Sequence, residues 1–188
     1  MRCLWEDQAW EKLGDYLKRM ENSAQLGMSE EATGNRAVDA LLCQKQQLAE
    51  EKSIAWECDV RIPKRCHTNE FDLCILFGNI LDNAVEACER LQREEYEPGL
   101  QPFISVQAGA VKSCFLLEVR NSMNESEKQK GKNTEKGNTQ AHGIGLLNVS
   151  DVVRKYNGVM KTEIRNGVYD ISVLLPLAET AYDMEQVV

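Results

Sequence analysis

Residues 78–88 read "GNILDNAVEAC" and sit inside a longer pattern of helical period, from about Asn69 to Glu94. Asn79 and Asn83 are four residues apart, so on a helix they project from one face, one above the other. Leu76, Ile80 and Val85 are left to pack into a core. Asparagine is a poor helix former because its side chain competes for backbone hydrogen bonds. Two at this spacing in an apolar helix cost stability, and such local costs tend to mark sites. Side-chain carbonyl oxygens suit a hard cation such as Mg²⁺, which takes few protein ligands and completes its shell with water and phosphate oxygens. The alternative is that both amides satisfy backbone groups or solvent.

The segments around this helix set the fold class. Upstream, "IAWECDVRIP" (54–63) alternates as a strand and ends at Pro63. Downstream come "FISVQAGAV" (103–111), "CFLLEVRN" (114–121) and a long segment over 158–176 that splits at "RNG" (165–167). The Asn-Gly in that tripeptide is a strong hairpin turn. Between strands and the next helix, residues 122–141 have Met123 and Ala141 as their apolar members, a stretch that is either functional or disordered. It runs into "HGIGLLNVSDVV" (142–153), where two glycines open a helix extending to Tyr156. A lone Gly-x-Gly is either a loop-to-helix corner or a phosphate cradle. The sum is an α+β, two-layer α/β sandwich, with four or five strands covered on one face by helices.

Two further helices precede it. Trp10, Leu13, Leu17, Met20 and Ala24 form a narrow heptad-like seam within residues 4–26. A second helix from Asn35 to Lys52 carries Val38, Leu41, Leu42, Leu48 and Ala49 on one side. Joined by a short turn, they read as an antiparallel hairpin, packing either within the chain or against a second copy. The expected division is 1–57, helical hairpin, and 58–188, the sandwich.

Composition narrows the function classes. The chain has 188 residues, 43% hydrophobic, with a net charge of -8. That charge argues against a nucleic-acid binder, which needs a basic footprint, but leaves room for a nucleotide. Seven cysteines without a Cys-x-x-Cys pair, and two histidines, do not support a zinc site of the usual spacing. Cys74 in "LCILF" and Cys114 in "SCFLLEV" read as reduced core thiols of a cytoplasmic protein. No apolar run reaches the ~18 residues of a membrane span.

Taken in order, the Asn-x-x-x-Asn-Ala helix, the strand ending "EVRN", the polar loop and "HGIGL" resemble the ATP-binding domain shared by DNA gyrase, Hsp90, sensor histidine kinases and MutL. Within that superfamily the sequence is similar to sensor histidine kinases of the quorum-sensing and citrate-sensor type. "TGNRAVDALLCQK", "NILDNAVEAC", "TEK" and "HGIGLLNVSDVVRKYNG" carry the narrower match, over residues 33–176. The resemblance implies a Bergerat-type fold holding ATP under a lid. It implies that Asn83 ligates Mg²⁺, and that Asn79 replaces the glutamate with which hydrolysing relatives activate water. Asparagine cannot act as a general base at neutral pH, which favours a kinase. Gly143 and Gly145, with His142, Ile144 and Leu146 around them, fall in the second glycine box, where backbone amides meet phosphates. Lys136 falls in the lid, either toward phosphate oxygens or as a solvated loop lysine. Asn121 holds the place of the family's adenine-reading aspartate, and no Asp-x-Gly-x-Gly box follows. Its carbonyl can accept the same bond without charge assistance, so weak nucleotide affinity is expected.

The resemblance further implies phosphoryl transfer to a histidine on a dimerising hairpin, then to a response regulator. Residues 1–27 contain no histidine. His142 belongs to the glycine box and His67 reads as surface, so the acceptor is expected upstream of Met1, together with any membrane or sensing segment. The implied partners are a second copy through the hairpin and a response regulator. The alternatives are an ATP hydrolase of the same superfamily, and a dimerising module that has lost nucleotide binding.

Overall fold

The computed structural model describes residues 33–93, 101–124 and 142–177, with side chains from residue 145 onward in the last stretch. The elements are α1 (Arg36–Glu51), β1 (Ala55–Val60), α2 (Glu70–Arg93), β2 (Phe103–Val111), β3 (Cys114–Ser122), α3 (His142–Lys155), β4 (Val159–Arg165) and β5 (Val168–Pro176). One five-stranded sheet has the order β1-β2-β3-β5-β4. β1 and β2 pair in parallel, and every other pair is antiparallel. This is the mixed sheet expected from the sequence. The expected first helix, residues 4–26, lies outside the described residues.

Local chemistry explains where the helices begin and end. Asn35 caps α1, its Oδ1 accepting from the amides of Ala37 and Val38. The helix closes through Ser53, whose φ is 55°, while Ile54 donates back to the Ala49 carbonyl. Asn69 opens α2 by accepting from the Asp72 amide at 2.8 Å. α3 closes on Asn157 at φ 52°, with Gly158 donating to Val153.

α1 and α2 run side by side in the same direction. Leu41 faces Gly78, Lys45 pairs with Asp82, and Lys52 pairs with Glu89. Val38, Leu42 and Ala49 of α1 enter the same core as Leu73, Leu76, Phe77, Ile80 and Leu81 of α2. The sheet supplies Ile104, Val106, Phe115, Leu117, Val119, Ile171, Val173 and Leu175, and α3 supplies Val149, Val152 and Val153. Cys88 is buried in this core, whereas Cys74 and Cys114 are only partly buried, so the expectation of core thiols at those two positions holds less well. No helix among the described residues is long and apolar enough to cross a membrane.

β3 shows the two-sidedness of the sheet. Phe115, Leu117 and Val119 are fully buried toward the helices. Glu118 and Arg120, with Ser105, Gln107 and Asp170, line a polar depression on the opposite face, which is free of helices among the described residues. The hairpin turn is as the Asn-Gly pair requires: Asn166 and Gly167 have φ of 50° and 72°.

Candidate functional site

α2 and α3 pack antiparallel, and this brings Gly145 onto the two asparagines of α2. A methyl group built on Gly145 would lie 3.2 Å from Asn79 Oδ1, 3.5 Å from Asn83 Nδ2 and 3.6 Å from Asn83 Oδ1. The sequence separates these residues widely; the helix pair makes them one locus. Asn79 donates its Nδ2 to the Ile75 carbonyl at 2.8 Å, a bond back along its own helix that leaves Oδ1 facing α3. Asn83 differs: its Nδ2 is buried and has no hydrogen-bond partner among the described residues. An unsatisfied buried amide is costly, and a half-turn of the group exchanges nitrogen for oxygen. This suits an amide that a hard cation recruits as one oxygen ligand. Among the described residues no three His, Cys, Asp or Glu side chains cluster to hold a metal, so a cation here needs water or phosphate oxygens to complete its shell.

Asn121 sits at the end of β3, paired between Ile104 and Tyr169, on the helix-facing side, and is 2% exposed. Its Nδ2 donates to the Ser122 carbonyl at 2.9 Å. That carbonyl also accepts from Cys88 Sγ at 3.6 Å. Burial pushes the Cys88 thiol up to about 12, with the Ser122 bond pulling the other way, so it stays a protonated donor.

The remaining residues singled out in the sequence fall as follows. α3 begins at His142, so Gly143, Ile144 and Gly145 lie in its first turn. Backbone amides are unpaired in the first turn of a helix. Leu146 is partly buried against the core. Lys136 lies outside the described residues. His67 is exposed before α2.

One group was not legible in the motifs. Asp72, 5% exposed, receives Lys155 Nζ and Tyr156 OH on the same oxygen, Oδ2, each at 2.6 Å. The Asn69 amide in turn donates to the Tyr156 hydroxyl at 3.1 Å. Burial opposes ionisation of Asp72, but the bonds from Lys155 and Tyr156 and the lysine charge outweigh it and hold the carboxyl below its ordinary value. The bond to Asp72 pushes Lys155 up; burial and then the same carboxylate push Tyr156 up. A signal did exist. Residue 72 precedes Leu76 and Ile80 at steps of four, so an acid stands on the apolar stripe of α2, and Tyr156, just past the end of α3, follows Val152 at the same step.

Comparison with known proteins agrees with this architecture. A family model described as "GHKL domain" matches residues 68–176. The catalytic domain of the histidine kinase ThkA, solved in nucleotide-free form, superimposes with a TM-score of 0.57 at 16% identity, over 78% of this chain and 93% of that one. The Acinetobacter baumannii histidine kinase AdeS superimposes with a TM-score of 0.55 at 11% identity, over 94% of this chain and 82% of that one. At these identities the likeness is one of fold. No curated protein matches the sequence significantly.

Proposed function

The chain belongs to the GHKL family, and from that premise we propose that it is the ATP-binding catalytic region of a two-component sensor histidine kinase of the quorum-sensing and citrate-sensor type. The carrying observation is the convergence of Asn79, Asn83 and the first turn of α3 at Gly145. In this reading the Asn83 side chain supplies an oxygen to Mg²⁺. When bound, that ion neutralises the charge building on the β- and γ-phosphates. Amides at the start of α3, around Gly143 and Gly145, meet phosphate oxygens at a helix N-terminus. Asn121, its nitrogen occupied by Ser122, turns its carbonyl to the adenine amino group. His142 and Lys136 are assigned to the lid side of the nucleotide.

The reaction transfers the γ-phosphoryl group. The bond from the γ-phosphorus to the β–γ bridging oxygen breaks with its electron pair leaving on ADP, a bond to the unprotonated imidazole nitrogen forms, and the proton on the other ring nitrogen passes to solvent. Catalysis is then positioning and charge neutralisation. Asn79 has no basic carboxylate, so water is not activated and ATP is kept for transfer. The acceptor is assigned to a histidine on a dimerising helical hairpin, the kinase working as a homodimer and relaying phosphate to a response regulator. This region is assigned to the cytoplasmic portion of a membrane-bound receptor.

Calorimetric titration with ATP and Mg²⁺ tests the reading. Saturable heat that is lost in Asn83→Ala supports it. No heat at millimolar ATP overturns it in favour of a module that has lost nucleotide binding, which the missing Asp-x-Gly-x-Gly box favours. Steady phosphate release that depends on Asn79 points instead to a hydrolase.

A further inference from the structure

We infer that Asp72, Lys155 and Tyr156 are positioning residues for the nucleotide: they form a polar clamp that sets the register of α3 on α2 and so holds the glycine turn over Asn79 and Asn83. The inference rests on the nucleotide site proposed above and goes beyond it, because none of the three lies at that site. The α2–α3 pair is fixed at two places. At one, Lys155 and Tyr156 converge on Asp72 Oδ2, and Tyr156 also accepts from the Asn69 amide. At the other, Gly145 meets the asparagines. Between them the contributions to the core are apolar, from Leu73, Phe77 and Ile80 on α2 and Val149, Val152 and Val153 on α3. Apolar burial is non-directional; interdigitated side chains resist a slide or roll of one helix on the other but do not single out one register through hydrogen-bond geometry. The clamp does, since its bonds are short, charge-assisted and directional.

Stability alone does not account for the group. The Lys155 side chain is more than half exposed, and an ion pair with one partner in water adds little stability; the best-attested use of polar groups at a helix interface is to fix register. Register matters at the far end. Gly145 is ten residues from Lys155, roughly 15 Å along a rigid α-helix. There the clearance is such that a single methyl would reach 3.2 Å from Asn79 Oδ1. A displacement of about 1 Å in a positioning element can cost on the order of a hundredfold in activity.

The test uses the full chain. Tyr156→Phe removes one hydroxyl and keeps the ring; Asp72→Asn removes the shared acceptor's charge; Lys155→Arg keeps a cation. Affinity is measured for Mg-ATP by calorimetry and for adenosine by NMR titration, beside the thermal midpoint. A clamp acting through the phosphate end makes Tyr156→Phe and Asp72→Asn weaken ATP about tenfold while adenosine stays within about twofold. Lys155→Arg retains ATP affinity. In the nucleotide-free protein the Gly145 amide and the Asn79 and Asn83 side-chain amides shift in Tyr156→Phe. Equal weakening of ATP and adenosine, or a lowered midpoint with ATP affinity and those resonances unchanged, overturns the inference and leaves the group a structural staple. If Asp72→Asn does not fold, Tyr156→Phe decides. Failure of the unsubstituted chain to bind ATP is a separate result, which overturns the proposed function and the clamp's part in it together.

Discussion

At Gly145 two effects of opposite sign meet. Alanine in place of a helical glycine gains about 1 kcal/mol of helix propensity. The added methyl, however, enters the space in front of Asn79 and Asn83, 3.2 Å and 3.5 Å from their amide atoms. Gly145→Ala is therefore expected to leave the thermal midpoint within about 5 °C of the unsubstituted chain. ATP affinity, followed by calorimetry, should fall at least about tenfold, the equivalent of roughly 1.4 kcal/mol. Unchanged affinity with a raised midpoint would mean that the phosphates do not approach this turn. Gly158 gives the converse case. A methyl there would lie 2.5 Å from Leu175 Cδ2 and 2.6 Å from the Leu174 carbonyl oxygen, and backbone cannot yield as a flexible side chain does. Gly158→Ala should cost about 1–3 kcal/mol by overpacking, read as a lower urea midpoint, with ATP affinity per folded molecule unaltered.

The pairing of α2 with α3 carries a pH dependence whose sign follows from the clamp. The folded-state value of Asp72 is depressed, so its contribution to stability is present above the ordinary carboxylate range. It is lost as pH falls through the folded value, that is, below about pH 4. Lys155 and Tyr156 are raised; their contribution is present below their ordinary values and is lost as pH climbs past about 10. Unfolding free energy measured against pH should therefore fall off at both ends, and Asp72→Asn should flatten the acid limb. An acid limb of unchanged slope in that variant would assign the loss to other carboxylates. This same pair marks what the sequence made legible. Asn79 and Asn83 stand out because a four-residue step stacks two poor helix formers on one face, and Gly145 because it opens a helix after a polar stretch. Asp72 and Tyr156 are separated by 84 positions along the chain. Asp72 is marked only as an acid on an apolar stripe and Tyr156 only as an aromatic just past a helix end, and neither mark names the other as its partner. Turns divide in the same way. Asn166-Gly167 announces its hairpin, whereas the β2–β3 turn places Lys112 at φ 54°, where lysine has no intrinsic preference and the flanking strand pairing imposes the conformation.

At the scale of the sheet, the three helices among the described residues cover one of its faces, and no described element covers the other; this asymmetry decides which substitutions matter. In β3 the side chains alternate between the two environments. Leu117 is fully buried toward α2, while its neighbour Glu118 turns to the helix-free face and meets Ser172 Oγ at 3.4 Å. Alternation of this kind was readable from "CFLLEVRN", because a one-residue slip would exchange a core leucine for a glutamate. The approach of Gly145 to Asn79 and Asn83, on which the proposed nucleotide site rests, was signalled by two motifs, the asparagine helix and the glycine turn, although their contact appears only in the fold. The cross-strand pair on the open face was not signalled in this way, because Arg120–Asp170 depends on the register of β3 with β5, whereas Lys161–Glu163 joins two residues at the i, i+2 step of a single strand. These surface pairs should contribute little, about 0–1 kcal/mol each. Leu117→Ala is expected to cost about 2–5 kcal/mol, whereas Glu118→Ala should stay within about 0.5 kcal/mol. Both are read from urea midpoints at constant slope. Comparable losses at the two positions would mean that the open face is covered by another part of the protein or by a second copy, and that the sheet is buried on both sides.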